Sequence, residues 1–360
     1  MSQIPMLSRS PSLPPSPSMP RSMRPALLAA VLVSGFAAPA AHAQAGAFLR
    51  YGSGPRSLAL GGALAADVSG LASAYHNPAL APEIEGQHLD AAAFALTQDR
   101  QVQSLQFGTP MAPRAGVSVG VVHAAVTGID GRDGSGYATG ELRTDEFAIF
   151  TAFGLRLTPK VSAGVGLQVF RSTLAEGVRP ALSVGLDVGV LVRPARGVAV
   201  ALVLDDALAG YTYDSSGLYG EGGARTTERF PTRLRAGASV ERGRTVALVE
   251  IEEEFEFRNA REERVVIEDG LPRLDRRDPA YTFAHTTLRI GAEHRIGDAL
   301  RLRVGADGLL RDGVAAAVRP GAGAAFERAA GPLRLRVDYG VALDPYGTGL
   351  VHAAGLRVLL

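Results

Sequence analysis

Arginine and carboxylate side chains recur at alternate positions in strand-like segments of the second half of the chain. Of all the side chains in the sequence, they are the best suited to bind a ligand. An arginine that points into an enclosed channel can orient an anionic group, such as a substrate carboxylate. The alternative is structural, because aspartates and glutamates in the same segments could form a ladder of ion pairs between neighbouring strands. The arginines that we select as candidate substrate-binding residues are Arg233, Arg235, Arg301, Arg303, Arg334 and Arg336.

Four glutamates, Glu250, Glu252, Glu254 and Glu256, fall on one face of a strand by the period of two. Their carboxylate oxygens could bridge a divalent cation, but a solvated acidic rim is the favoured interpretation. The histidines show no paired spacing typical of zinc sites, and the absence of cysteine excludes thiolate ligands and disulfides. We therefore expect no metal or other cofactor.

One serine lies in a catalytic-looking motif. Residues 116–120 match the spelling of a nucleophile elbow around Ser118. That motif requires a strand that turns sharply into a helix, whereas the strand pattern continues straight through Ser118. Since no convergent set of acid, base and nucleophile can be assembled, we expect a protein without enzymatic activity.

The elements that must position these residues are strands with two different faces. From residue 333 to residue 341, every odd position is apolar and every even position is charged or glycine. An arginine facing lipid at the bilayer midplane costs about 2 to 4 kcal/mol, so Arg334 and Arg336 must face inward while Leu335 and Val337 face hydrocarbon. The polar face is rich in glycine, alanine, serine and arginine, which favours a wide hydrated or plugged lumen over the packed interior of a soluble sandwich.

Segments of this kind recur fourteen times, an even number, as in bacterial outer-membrane barrels. The predicted strands are 87–97, 101–108, 115–126, 145–157, 161–174, 181–193, 197–207, 231–241, 244–257, 285–296, 299–307, 314–326, 333–343 and 352–360. Short connections alternate with long ones in the phase that leaves both termini in the periplasm. The sequence therefore predicts an all-β protein, a 14-stranded antiparallel transmembrane β-barrel over residues 87–360 in contact with outer-membrane lipid.

The first 43 residues predict a signal peptide. Arg21 and Arg24 precede an apolar run, 26–36, that is too short to span a bilayer, and Ala41-His42-Ala43 fits the small-x-small cleavage pattern. A retained membrane anchor is the alternative. Export behind a signal predicts the cell outer membrane of a Gram-negative type of envelope. The net charge of +1 gives no bias towards nucleic acid, so we expect no such partner.

Residues 44–86 do not alternate, and small residues dominate them. Their few charges argue against a disordered periplasmic tail, so we expect a plug or hatch segment inside the lumen. Arg56, His76 and Asn77 are the candidate substrate contacts in this segment. Phe150 is a further candidate, on the nearly neutral wall that the first-half strands are expected to form.

Ten residues of the N-terminal segment form a pattern: Gly54, Arg56, Leu58, Gly61, Gly62, Ala63, Asp67, Asn77, Pro78 and Ala79. It resembles the amino-terminal signature of the PorV/PorQ family of outer-membrane proteins, which is similar in architecture to FadL. The resemblance implies a fourteen-stranded barrel with a lumenal amino-terminal segment. FadL-like members pass hydrophobic molecules, whereas PorV-like members work with the type IX secretion machinery and receive exported proteins. It thus implies binding or passage of a hydrophobic or amphipathic substrate across the outer membrane, with a secretion-accessory role among secretion-system components as the alternative.

Overall fold

A computed structural model describes residues 45–69, 74–175, 178–259, 262–268, 271–277, 280–310, 318–345 and 349–360. The predicted signal peptide, residues 1–43, lies outside the described residues. Within these ranges, no helix has both the length and the apolar character that a membrane-crossing helix needs.

Fourteen antiparallel strands form one closed barrel, in which the first strand pairs with the last. In chain order the barrel strands are β1 (His88–Ala95), β2 (Arg100–Met111), β3 (Ala115–Arg132), β4 (Ala138–Thr158), β5 (Val161–Thr173), β6 (Ala181–Ala195), β7 (Val198–Ala207), β10 (Thr232–Arg242), β11 (Thr245–Asn259), β14 (Ala280–Ile296), β15 (Leu300–Asp307), β16 (Arg319–Ala330), β17 (Leu333–Leu343) and β18 (Leu350–Leu359). The predicted closed barrel of fourteen antiparallel strands is confirmed, although strand bounds differ: the predicted strand 314–326 is Arg319–Ala330, and residues 314–317 lie outside the described residues.

Two further hairpins occupy the long connections that follow β7 and β11. They pair β8 (Gly210–Asp214) with β9 (Arg225–Arg229), and β12 (Glu262–Glu268) with β13 (Leu271–Arg277). A short helix, Ser216–Tyr219, connects β8 to β9. The barrel therefore has one end with short turns and the two chain ends of the sheet, and an opposite end with the longer loops.

The predicted assignment of the two faces is also confirmed. On β17, Val337 is 58% exposed on the outside, whereas Arg336 and Asp338 are buried on the inside. Leu302, Val304 and Leu356 follow the same rule on the outer surface. Successive side chains of a strand point to opposite faces, so a period-two sequence becomes an apolar exterior around a polar interior.

The N-terminal segment contains three short helices that contact the inner wall. They are a 3-10 helix (Ala47–Tyr51), the α-helix α1 (Pro55–Ala59) and a second 3-10 helix (Pro78–Glu83). Proline occupies the first helical position of the last two, where its missing N–H and fixed φ are favourable. Helix α1 packs against β15 to β18, and the helix Pro78–Glu83 packs against β2 to β6.

Inward-facing glycines allow the backbone of this segment to lie directly on the wall. A Cβ atom at Gly154 or Gly164 would lie within 3.0 Å of Pro78, and one at Gly305 would lie within 3.0 Å of Leu60. Real Cβ atoms do not approach other atoms so closely, so these strand positions accept no larger residue without movement. The high glycine content of the strands thus has a packing cause.

Candidate functional site

The inner face of the barrel has two unlike sides. We define the charged wall as the inner faces of β10, β11 and β14 to β18, which carry buried arginines and carboxylates and, on every one of these strands except β11, glycine. We define the apolar wall as the inner faces of β1 to β6, which present buried apolar side chains at their long-loop ends. The N-terminal segment contacts both walls.

Arg56 of helix α1 connects the N-terminal segment to the charged wall. Its guanidinium donates to Asp67, and its Nε donates to Glu293 at 3.0 Å. Burial alone would lower the pKa of Arg56, but the charges of Asp67 and Glu293 outweigh burial and raise this pKa above its ordinary value. Arg56 is therefore a charged, fully paired anchor of the segment.

Arg303 and Arg336 extend this network across neighbouring strands. Arg303 donates from Nε to Glu293 at 2.7 Å and from Nη1 to Asp338 at 2.6 Å. Arg336 donates from Nε to the other carboxylate oxygen of Asp338 at 2.8 Å. Glu293 thus bridges Arg56 and Arg303, and Asp338 bridges Arg303 and Arg336, which reduces the repulsion among the three arginines.

The two arginines of β10 have partners on β7. Arg233 donates to Asp206 at 2.6 Å, and Arg235 donates to both oxygens of Asp205, at 2.5 and 2.9 Å. Arg235 also donates to the backbone carbonyl of His76 at 2.5 Å. These contacts fix the second half of the N-terminal segment to the wall.

The remaining two candidate arginines share one partner. Arg301 donates to Glu327 at 3.2 Å, and Arg334 lies 3.6 Å from the same carboxylate. The Arg334 side chain is 58% exposed at the short-turn end of β17, because its strand has only just left the turn. The inward assignment of Arg334 thus places it at the rim of the barrel, where it shares Glu327 with Arg301.

All six candidate arginines of the barrel therefore have a carboxylate within 4.0 Å. This is the geometry expected of the structural ladder that we considered from the sequence.

The expectation of a solvated acidic rim is wrong for Glu250, Glu252 and Glu254, which are buried. Arg289 donates to Glu250 at 3.0 Å and to Glu252 at 2.7 and 2.8 Å, and Arg50 of the N-terminal segment donates to Glu254. The carboxylates face inward because the same strand must present its apolar residues outside. No group of three or more potential metal-ligating side chains occurs in the part of the chain that the structure describes.

His76 and Asn77 hold the N-terminal segment in shape. The Asn77 amide donates to the carbonyl of Ala65 at 2.7 Å, and its side-chain oxygen accepts from the N–H of Ala79 at 2.9 Å, which caps the following 3-10 helix. The His76 Nε2 lies 3.3 Å from the Ser53 hydroxyl. Burial, together with the charges of nearby arginines including Arg235, lowers the pKa of His76 well below its ordinary value. The imidazole is therefore neutral at pH 7.

Phe150 belongs to an aromatic cluster that sequence reasoning did not assemble. The aromatic cluster consists of Phe48, Tyr51, Tyr75, Phe94, Phe150, Phe170, Tyr211 and Phe230. The Phe150 ring lies 5.0 Å from the Tyr75 ring, and the Phe230 ring lies 4.7 Å from that of Phe170 and 4.9 Å from that of Tyr211. The alternation of inward and outward positions along β1 and β5 could have identified Phe94 and Phe170 as inward residues. Tyr211 and Phe230 come from a long loop, where no periodicity indicates direction.

Several cavities lie between the N-terminal segment and the barrel, and we name two of them the outer and the inner cavity. The outer cavity has a volume of about 90 Å³ and is lined by Arg50, Arg233, Glu252, Asp307 and Arg319, among others. The inner cavity has a volume of about 50 Å³ and is lined by Asp90, Gln106, Arg336, Asp338 and Arg357, among others. The outer cavity reaches the long-loop ends of β16 and β17, whereas the inner cavity lies beside β1 and β18 towards the short turns.

Comparison with known proteins identifies the class of fold. No protein-family model matches this sequence, and no curated protein does. Among solved structures, the chain is similar to the Pseudomonas putida toluene transporter TodX, with 13% identity, a TM-score of 0.55, and coverage of 85% of this chain and 96% of that one. It is also similar to the CymD monoaromatic hydrocarbon channel, with 14% identity, a TM-score of 0.54, and coverage of 86% and 96%. A Pseudomonas aeruginosa FadL homologue matches with 12% identity, a TM-score of 0.51, and coverage of 85% and 97%. The chain therefore has the FadL-like barrel fold.

Proposed function

We propose that this protein is a non-enzymatic outer-membrane channel that passes a hydrophobic small molecule, with residues 44–86 acting as its hatch. The observation that carries this proposal is the aromatic cluster, which lies on the inside of a barrel that elsewhere carries buried ion pairs such as that of Arg303 with Glu293. A buried aromatic surface near one end of a polar barrel is suited to bind an apolar compound on its way through. The names of TodX and CymD, a toluene transporter and a monoaromatic hydrocarbon channel, support this substrate class.

The outer surface supports placement in a bilayer. Apolar side chains such as Ile149, Val165, Leu202 and Val304 are exposed around the barrel, and a soluble protein of this size rarely exposes so continuous an apolar surface. In the proposed orientation, the short turns lie in the periplasm and the long loops outside the cell. The aromatic cluster then lies on the extracellular side of the lumen.

The charged wall favours an uncharged substrate over the anionic one that the sequence suggested. Each candidate arginine has a carboxylate partner. A substrate carboxylate that displaced such a partner would leave it buried and unpaired, which is strongly unfavourable. We therefore propose a neutral hydrophobic substrate, for which toluene is a suitable probe.

Uptake measurements test this function. We expect cells that carry the protein to take up toluene faster than cells without it, and to gain little for a long-chain fatty acid. Phe150→Ala should lower toluene uptake about two- to tenfold, because each lost aromatic contact weakens binding by about 0.5 to 1.5 kcal/mol. Phe153→Ala is the matched control, since Phe153 lies on the same strand but faces outward. Equal toluene uptake with and without the protein would contradict the proposal.

A secretion-accessory role of the PorV/PorQ type is the second candidate. The ordered hairpins β8–β9 and β12–β13 favour it, because they extend the long-loop end with paired strands that a large partner could contact. Affinity capture from native membranes distinguishes the two. Recovery of a type IX secretion channel with the barrel supports the accessory role, and recovery of the barrel alone counts against it.

A further inference from the structure

The outer and inner cavities share part of their lining. Ser57 and His76 are the two residues that line both cavities. Each cavity is lined by several charged side chains, and cavities of that kind hold water. Ser57 and His76 therefore lie between the outer cavity, towards the long loops, and the inner cavity, towards the short turns.

Several contacts fix His76 in this position. Arg235 donates to its backbone carbonyl, Ser53 contacts its ring, and the ring of Tyr75 meets it edge-on at a centroid distance of 5.3 Å. His76 is 7% exposed. Gly52 packs against the same place, because a Cβ atom there would lie within 3.0 Å of the Ser57 side chain and 3.2 Å from the His76 ring.

At other places the described part of the N-terminal segment packs directly on the barrel wall. Its backbone lies against the inward glycines, including Gly164 beneath Pro78 and Gly305 beneath Leu60. At such positions the separation is that of direct packing, which excludes water. Ser57 and His76, which line both cavities, therefore mark the place where the outer and inner cavities approach each other.

We propose that His76, supported by Ser57, is the partition that closes a hydrated route for small inorganic ions along the charged wall. This inference goes beyond the proposed function, because it concerns ions and water and not an apolar substrate. The route suits ions of either sign, since both cavities present guanidinium and carboxylate groups to their contents. Removal of the imidazole would join the two cavities into one continuous hydrated passage.

Conductance measurements on the purified full-length protein in planar lipid bilayers test the proposal, with potassium chloride as the probe. We expect a low conductance for the unchanged protein and a severalfold higher conductance for His76→Ala. His88→Ala is the matched control, because His88 is 5% exposed and lines neither cavity. His76→Gln, which keeps most of the side-chain volume, should return the conductance towards the low value.

Solute size distinguishes a local opening from loss of the whole segment. If only the partition is removed, His76→Ala vesicles should remain impermeable to a trisaccharide in a swelling assay. Swelling in trisaccharide would overturn the proposal, because it would show that the N-terminal segment as a whole had left the lumen. Unchanged conductance in His76→Ala, or an equal rise in His88→Ala, would also overturn it. Toluene uptake is a separate readout, so failure of the channel function and failure of the partition are distinguishable.

Discussion

Replacement of Arg303 with methionine is expected to lower the free energy of unfolding by about 3 kcal/mol, because loss of one partner leaves buried charges uncompensated. The Arg303 side chain is fully buried and donates to both Glu293 and Asp338. The expected value lies at the low end for buried pairs, since Glu293 keeps Arg56 and Asp338 keeps Arg336. Urea-dependent folding into lipid vesicles measures the loss.

Arg334→Met is the matched control for this prediction. Arg334 is on the same inward face of a nearby strand, but its side chain is largely exposed and its one carboxylate partner lies 3.6 Å away. Exposed pairs contribute about 0 to 1 kcal/mol. Equal losses for Arg303→Met and Arg334→Met, or no loss for Arg303→Met, would show that the buried network does not stabilise the barrel.

The strands could be predicted from sequence because every barrel strand must meet the same requirement on its two faces. Its outer face must be apolar and its inner face must tolerate charge, so the pattern repeats every two residues regardless of what the neighbouring strand contains. The run from Leu333 to Val341 shows this requirement in its purest form. Because this period is visible within one segment of the chain, the strand can be predicted without information on distant contacts.

The partners of the charged residues could not be predicted, because they depend on register. Arg303 and Asp338 are 35 positions apart and meet only because β15, β16 and β17 pair in a particular alignment. The same limitation explains the error at Glu250 and Glu252, whose partner Arg289 lies on β14. A list of charges on one face does not show which of them face one another.

The aromatic cluster was missed for a related reason. Phe150 was recognised as an inward residue of β4, but Phe230 and Tyr211 belong to the connection between β7 and β10. Loop residues have no period that assigns them to a face. The glycine contacts could not be predicted either. Glycine content alone does not indicate that the backbone of the N-terminal segment, near Pro78, packs on the barrel wall.

Gly164→Ala is expected to destabilise the seating of the N-terminal segment by about 1 to 3 kcal/mol, the usual cost of overpacking. The new Cβ atom would lie within 3.0 Å of the Pro78 backbone, and neither a barrel strand nor a proline backbone can move aside as a flexible side chain can. Limited proteolysis, read by mass spectrometry, should show cleavage near residues 77–83. Gly134→Ala is the control, because the space around that loop glycine is open.

A double substitution tests whether the segment is one cooperative unit. Gly305→Ala places a Cβ atom within 3.0 Å of Leu60, on a different part of the wall from the Gly164 contact with Pro78. If residues 45–84 leave the wall together, the first substitution releases the whole segment. The second substitution then has no segment to clash with. The combined loss in unfolding free energy should therefore be smaller than the sum of the single losses. If the two parts detach independently, the losses add, as they do for distant sites without shared partners. Strict additivity in this double-mutant cycle would mean that helix α1 and the helix Pro78–Glu83 are seated separately.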